Sequence, residues 1–278
     1  MSRKDVWAEV ADRVFVRRYD TWLGEPFDQN VGVVLGTAGA VVVDTRASHL
    51  LADELLFELR DLTKGPVAAV VNTHHHWDHT FGNARFVPAP IWGHRRCAER
   101  VLEDGDEMRR RVIGEAPEAA EELERVVLTP PTHVFEETAL IDLGDRQLQL
   151  TYLGHGHTDN DIVMVVPDAG VLFAGDLLEN DAPPGYGDAF PAAWAAAVTE
   201  RLLPLVGGAV VPGHGSVGDR GFALAQGADL QAMAALGAQV AAGTLDEQEA
   251  TRLAPFPERT AMTAIRRWAL EASGVVAT

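Results

Sequence analysis

The stretch Thr73-His74-His75-His76-Trp77-Asp78-His79 holds four of the chain's ten histidines within six residues and stands directly behind the apolar run VAAVVN at 67–72. A short run of valine and alanine closed by asparagine reads as a buried strand, so the histidines begin where that strand stops. In extended backbone, side chains alternate, which sends His74, His76 and Asp78 to one side and His75 and Trp77 to the other. A bend at Asp78 lets His79 join the first group. Imidazoles and a carboxylate converging from one strand end form a ligand set for a divalent metal, because zinc takes His nitrogen at about 2.0–2.1 Å together with Asp or Glu oxygen.

Outward from this point the chain alternates short apolar runs with helical patterns. VGVVL (31–35) and AVVVD (40–44) read as a hairpin turned at Gly36 and Gly39, followed by a helix over about 49–62, and residues 94–126 read as two exposed helices broken at Gly114 and Pro117. LQLTYL (148–153), DIVMVV (161–166) and VLFAG (171–175) are further strands, with Pro167 to Gly170 as a hairpin turn. A helix near 191–203, the strand AVVP (209–212) and Ala-rich helix complete the pattern. Three more candidates lie just past strands or in tight turns: His157 in Gly154-His155-Gly156-His157-Thr158, Asp176 in Phe173-Ala174-Gly175-Asp176, and His214 in Pro212-Gly213-His214-Gly215. Strand ends that present side chains through glycine turns are where α/β scaffolds build sites. With no linker, low-complexity tract or repeat, residues 1–278 are expected to form a single domain with an Ala-rich helical part from about 220.

The ordered set HxHxDH, GHT, GD closing an apolar strand, and PGHG resembles the metallo-β-lactamase fold superfamily of metallohydrolases over roughly residues 30–216. The resemblance implies an α/β fold, a four-layer αβ/βα sandwich with metals at one edge between two sheets. It implies His74, His76 and His157 on a first metal and Asp78, His79 and His214 on a second, with Asp176 bridging them and Asp44 supporting the ligands without binding metal. The expected cofactor is two Zn²⁺, with iron or manganese as alternatives because imidazole and carboxylate suit all three. Two such ions about 3.5–4 Å apart bring the pKa of a shared water close to neutral, so a metal-bridging hydroxide is the expected nucleophile and Asp78 the catalytic residue that orients it. Glyoxalase II and the lactonases share the Asp-bridged set, which implies hydrolysis of a small ester, lactone, thioester or amide. The alternatives are a mononuclear iron sulfur dioxygenase and a β-lactam hydrolase of the same fold, although lactamases with a metal-binding cysteine carry it where this chain has Asp176.

Charge narrows the partners. Lys and Arg number 23 against 41 Asp and Glu, and a formal charge of −18 opposes nucleic-acid and anionic membrane surfaces, leaving a small-molecule substrate; a homo-oligomer stays open. The basic clusters Arg109–Arg111 and Arg266–Arg267 read as solvated helix faces. The single cysteine, Cys97, rules out an intrachain disulfide and reads as a small buried residue. No apolar run approaches the ~20 residues of a membrane span, and the first residues lack the pattern of a secretory signal, so a cytoplasmic address is expected. Substrate contacts are expected from the loops Tyr19–Asn30 and Asp181–Phe190, through Trp22, Phe27, Asn30, Tyr186 and Phe190, and His155 is expected to touch ligands or substrate. His75 reads as structural, and His49, His94 and His133 as packed or solvated.

Overall fold

Residues 6–21 and 28–274 are described by the structure, a computed structural model. Strands β1 (Ala8–Ala11), β2 (Val14–Tyr19), β3 (Gln29–Gly36) and β4 (Gly39–Val43) form an antiparallel meander, from which helix α1 (His49–Leu62) crosses over to β5 (Val67–Val71), parallel to β4. The short helix α2 (Trp77–Thr80) leads to β6 (Ile91–His94), then to α3 (Arg95–Glu103), α4 (Gly105–Glu115), α5 (Ala120–Leu123) and β7 (His133–Phe135). A second antiparallel meander follows in β8 (Thr138–Asp142), β9 (Gln147–Tyr152), β10 (Ile162–Val166) and β11 (Val171–Glu179). After α6 (Pro191–Ala196), β12 (Val210–His214) adds parallel to β11, and α7 (Arg220–Ala241), α8 (Glu247–Leu253) and α9 (Glu258–Ala272) come last. β12 and β3 meet through one residue pair, His214 and Gln29, so the strands form two sheets joined at a seam.

Period-two alternation of apolar side chains stacks these sheets. In β4, Val41 and Val43 turn toward the second sheet, where they meet Leu150, Met164 and Phe173, while Ala40 and Val42 turn outward onto Leu55 and Leu59 of α1. β10 does the same from the other side: Ile162 and Met164 face the first sheet, and Val163 packs with Trp194, Leu230 and Ile265 under α6, α7 and α9. A strand buried on both faces reads as a continuous apolar run, which is why these valine stretches stood out. Each fully buried Leu, Val or Phe contributes roughly 1.5–3 kcal/mol, so this stacking is what holds the layers together. The result is a four-layer αβ/βα sandwich.

The hairpin pairs Gly36 with Gly39 as its glycines suggest, and the helix expected over about 49–62 is α1, capped by Ser48, whose hydroxyl accepts the Leu51 N–H at 3.1 Å. The region 94–126 differs from two exposed helices. Helix α4 sends Met108 and Val112 into a satellite core with Trp77, Phe81 and Leu123, a pairing at i and i+4 hidden among charged neighbours. Cys97 is buried, in line with its reading as a small packed residue. No helix among the described residues is long and apolar enough to cross a membrane.

Candidate metal centre

The edge where β4, β5, β11 and β12 end gathers every residue expected as a ligand. The chain leaves β5 through Asn72 and Thr73 into His74–His76, after which the first turn of α2 presents Asp78 and His79. A helical turn therefore replaces the strand alternation expected beyond His76, and Trp77 goes into the satellite core with Phe81. His157 comes from the β9–β10 loop, Asp176 from within β11 and His214 from the last position of β12. The ligand atoms of His74, His76, His157 and Asp176 lie within 4.8 Å of one another, as do those of Asp78, His79 and His214. The Asp176 carboxylate stands between the two groups: Oδ2 is 3.7 Å from His74 Nε2, 3.5 Å from His157 Nε2 and 3.3 Å from His214 Nε2, and Oδ1 is 3.4 Å from His79 Nε2. Asp78 Oδ2 lies 3.2 Å from His79 Nε2 and 3.3 Å from His214 Nε2.

The outer partners of each imidazole decide which nitrogen carries a lone pair toward the centre. Thr73 donates its hydroxyl to Asp44 Oδ2 at 2.9 Å, so its oxygen accepts from His74 Nδ1 at 3.1 Å and the His74 lone pair sits on Nε2. Carbonyl oxygens can only accept, so His157 Nδ1 donates to Gly185 at 3.0 Å and His214 Nδ1 donates to Asp28 at 3.1 Å, leaving Nε2 inward in both. His79 Nδ1 donates to Asp44 Oδ2 at 2.8 Å, and His76 Nε2 donates to Asp188 Oδ2 at 3.1 Å, which points His76 Nδ1 inward. There it stands 3.0 Å from both His74 Nε2 and His157 Nε2. Lone pairs thus face lone pairs and carboxylates across buried space, and His79 Nε2 and Asp176 Oδ1 have no hydrogen-bond partner among the described residues. An acceptor set of this kind is satisfied by cations, and the nitrogen-rich, carboxylate-bridged donors fit divalent metal.

The electrostatics agree. Burial pushes His74 well below the ordinary imidazole value and His157 down to about 4, so both stay neutral. Burial works the same way on His79 and His214, yet Asp78 and Asp176 overcome it and hold both rings well above their usual value, a sign that the site calls for positive charge. Burial likewise opposes ionised Asp78 and Asp176, but His79 and His214 hold both below the usual carboxylate range.

Asp161, just beyond the His157 loop, behaves differently: burial raises it to about 7, with Oδ2 accepting the Thr158 N–H at 2.6 Å and Oδ1 without a partner among the described residues. A folded pKa above the unfolded value of about 3.9 means that the stability it contributes is complete below about pH 4 and is lost as pH rises through about 7. Asp161→Asn is therefore expected to gain on the parent by roughly 1–3 kcal/mol between about pH 4 and pH 8.5. Denaturant titrations at the two pH values check this, and a difference independent of pH would refute it.

The remaining expected contacts divide. Asp44 links Thr73 and His79: its Oδ1 accepts the Thr73 N–H at 2.8 Å. His155 is exposed and has no hydrogen bond among the described residues; its ring lies 4.3 Å from that of Phe190. Asn30 is placed otherwise than as a substrate contact: its buried amide donates to the carbonyls of Pro212 and Gly215 at 2.9 and 2.8 Å, tying β3 to the turn that carries His214. Tyr186 too is displaced from that role, since it is 3% exposed and packs between Trp194 and Phe256 in the helical core. Trp22 and Phe27 lie outside the described residues. His75 is buried and accepts from Asn160 Nδ2 at 2.9 Å, His94 stacks on Tyr152 at 4.0 Å, His49 accepts the Val127 N–H, and His133 lies beside Trp92. Sequence reasoning missed Asp188 and the carbonyls of Asp28 and Gly185. Carbonyls carry no side-chain signal, and Asp188 stands 112 residues from His76 in an unremarkable loop.

Such a fold and centre define a metal-dependent hydrolase. The chain belongs to the metallo-beta-lactamase superfamily, whose sequence profile matches residues 24–214. A metallo-beta-lactamase type 2 of Bacillus cereus is 29% identical over 209 residues, covering 72% of this chain and 72% of the relative. The acyl-coenzyme A thioesterase MBLAC2 of Bos taurus is 29% identical over 221 residues, covering 69% of this chain and 77% of its own. Among solved structures, a metallo-beta-lactamase from Pontibacter korlensis has a TM-score of 0.68 at 24% identity over 81% of this chain and 98% of that one. A double mutant of the sec-alkyl sulfatase PisA1 has a TM-score of 0.76 at 16% identity over 96% of this chain and 50% of that one. At such identities the structural likeness speaks for the fold.

Proposed function

We propose that this hydrolase is dinuclear and acts on a small activated acyl compound, a thioester, lactone or ester, with β-lactams as the second substrate class. The observation that carries the proposal is the Asp176 carboxylate shared between two donor groups. His74, His76 and His157 would hold one zinc ion, Asp78, His79 and His214 the other, and Asp176 both. Bound there, the two ions supply Lewis acidity toward a carbonyl oxygen and a water acidic enough to attack near neutral pH. Asp78 stays a carboxylate beside His79 and His214, so its Oδ1 can accept a hydrogen from the attacking water and hold it in line. Asp44 fixes the His79 tautomer and Asp188 that of His76, which keeps the inward lone pairs in place. The C-terminal helices belong to the same catalytic unit in this reading, because α7 and α9 cover the second sheet.

The similarity to an acyl-coenzyme A thioesterase supports the thioester class, and the similarity to a β-lactamase supports the second. Elemental analysis of protein purified without added metal is expected to find about two zinc ions per chain. Hydrolysis of thioesters, lactones and β-lactams measured side by side should disappear with a chelator, and thioesters or lactones should turn over faster than β-lactams. A single iron with oxygen uptake, or phosphodiester cleavage without acyl hydrolysis, would overturn the reading.

A further inference from the structure

A cleft of about 230 Å³ opens beside the centre and runs from His76 and Asp188 to helices α4 and α9. α4 lays Glu107 and Arg111 along one face of it, four residues apart, and α9 contributes Arg267. Both arginines belong to the clusters whose sequence suggested solvated faces, yet Arg267 is half-buried at the cleft while its neighbour Arg266 pairs with Glu247 at 3.3 Å.

Most acids of the cleft already have partners. Asp104 and Asp159 pair with Arg100 at 3.2 and 2.9 Å, and Asp188 takes the His76 N–H. Glu271, the acid next to Arg267 on α9, accepts the backbone N–H groups of Ala192 and Ala193. Arg267 donates Nε to the Ala189 carbonyl at 3.0 Å, which orients its fork and leaves both Nη groups without a protein partner among the described residues. Arg111 has no hydrogen-bond or ion-pair partner among them, and Glu107, four residues before it on α4, lines the same cleft without one among the described residues. Asp188 and Glu271 lie close enough to act on the half-buried Arg267 but are engaged elsewhere, so two guanidinium groups with free N–H donors line the cleft and suit an anionic group that offers paired acceptor oxygens.

We propose that this cleft is an anion-reading subsite, in which Arg267 assisted by Arg111 binds a carboxylate carried by the substrate away from its scissile carbonyl. The proposal rests on the acyl-hydrolase reading above. Arg267 lies beyond the family-matched residues 24–214, so the subsite is a property of this chain's C-terminal helices.

The test uses metal-loaded enzyme and matched thioesters bearing a carboxylate or its primary amide. One pair carries it on the acyl side (succinyl against succinamoyl) and one on the thiol side (acetyl thioesters of 3-mercaptopropionate and 3-mercaptopropionamide). Hydrogen bonds to a charged group predict that kcat/KM for the carboxylate exceeds that for the amide by roughly 10–100-fold in one pair, which identifies the side. The ratio should fall toward one in Arg267→Gln and partway in Arg111→Gln, an exposed position where folding is not at stake, while Arg266→Gln keeps the parent ratio. A parent ratio near one in both pairs, or a ratio that neither Arg267→Gln nor Arg111→Gln lowers, would overturn the subsite. Absence of any acyl hydrolysis would count against the function instead. Calorimetric titration with succinate and succinamate would then decide the subsite: succinate bound more tightly by the parent than by Arg267→Gln upholds it, and equal binding removes it.

Discussion

Asp176→Ala is expected to lose most of its bound metal and to hydrolyse any acyl substrate at least on the order of 10³-fold more slowly than the parent. The reason is position. Among the described residues its carboxylate is the one that approaches inward Nε2 atoms from both donor groups, with His74 and His157 on one side and His79 and His214 on the other. On the dinuclear reading, losing it would remove a donor from each group together with one of the buried negative charges that would offset two dications. Lewis-acid assistance is worth several kcal/mol, and about 1.4 kcal/mol is a decade in rate, which sets the expected scale. Asp44→Ala, which removes only the acceptor behind His79, should cost roughly 10–100-fold by comparison. Elemental analysis alongside kcat/KM checks both. Full metal content with near-parent activity in Asp176→Ala would mean that the carboxylate does not bridge.

The second large effect concerns backbone rather than ligands. Gly215 has φ of +89°, and a Cβ there would stand 1.7 Å from the Asn180 carbonyl oxygen. That oxygen belongs to the backbone just after β11, whose Asn180 N–H donates to the His214 carbonyl at 3.0 Å, so neither side has a flexible atom to give way. Gly215→Ala therefore combines left-handed strain with a backbone collision, each worth about 1–3 kcal/mol. A loss of about 3 kcal/mol or more is expected, which for a domain of this size lowers Tm by roughly 10 °C, together with depletion of the metal that His214 would hold. A shift under about 1 kcal/mol with unchanged metal content would show that the turn relaxes in a way the contact does not suggest.

What could be read from the chain alone was whatever is local. The donors declare themselves because all four segments that carry them place histidine or aspartate within a few residues of a glycine turn or a strand end, and residue type there already limits the chemistry. The buried strands β3, β4, β10 and β11 were legible because both their faces are apolar. β2 escaped notice because Arg17 and Arg18 interrupt its alternation, and β6 and β7 because four and three residues are too few to establish a period. The loop residues fared worst. Asn30 and Tyr186 stand near the centre in sequence, but direction is set by packing: one is turned onto carbonyls of the His214 turn, the other into the helical core. Arg111 and Arg267 are the reverse case, since the tertiary placement of α4 and α9 alone brings two distant surface-like arginines to one cleft.

The seam at Gln29 and His214 bears on how the molecule is held together mechanically. His74, His76, Asp78 and His79 ride on the first half of the sandwich; His157, Asp176 and His214 ride on the second. Any ion seated in either donor group is consequently a rivet driven through both halves, close to the line where their backbones share a single strand pair. Prying the sheets apart then requires breaking coordination as well as uncovering the valines between them, and a ligand displaced during turnover tugs on both halves at once. The chemistry and the cohesion of this edge are drawn from the same few atoms.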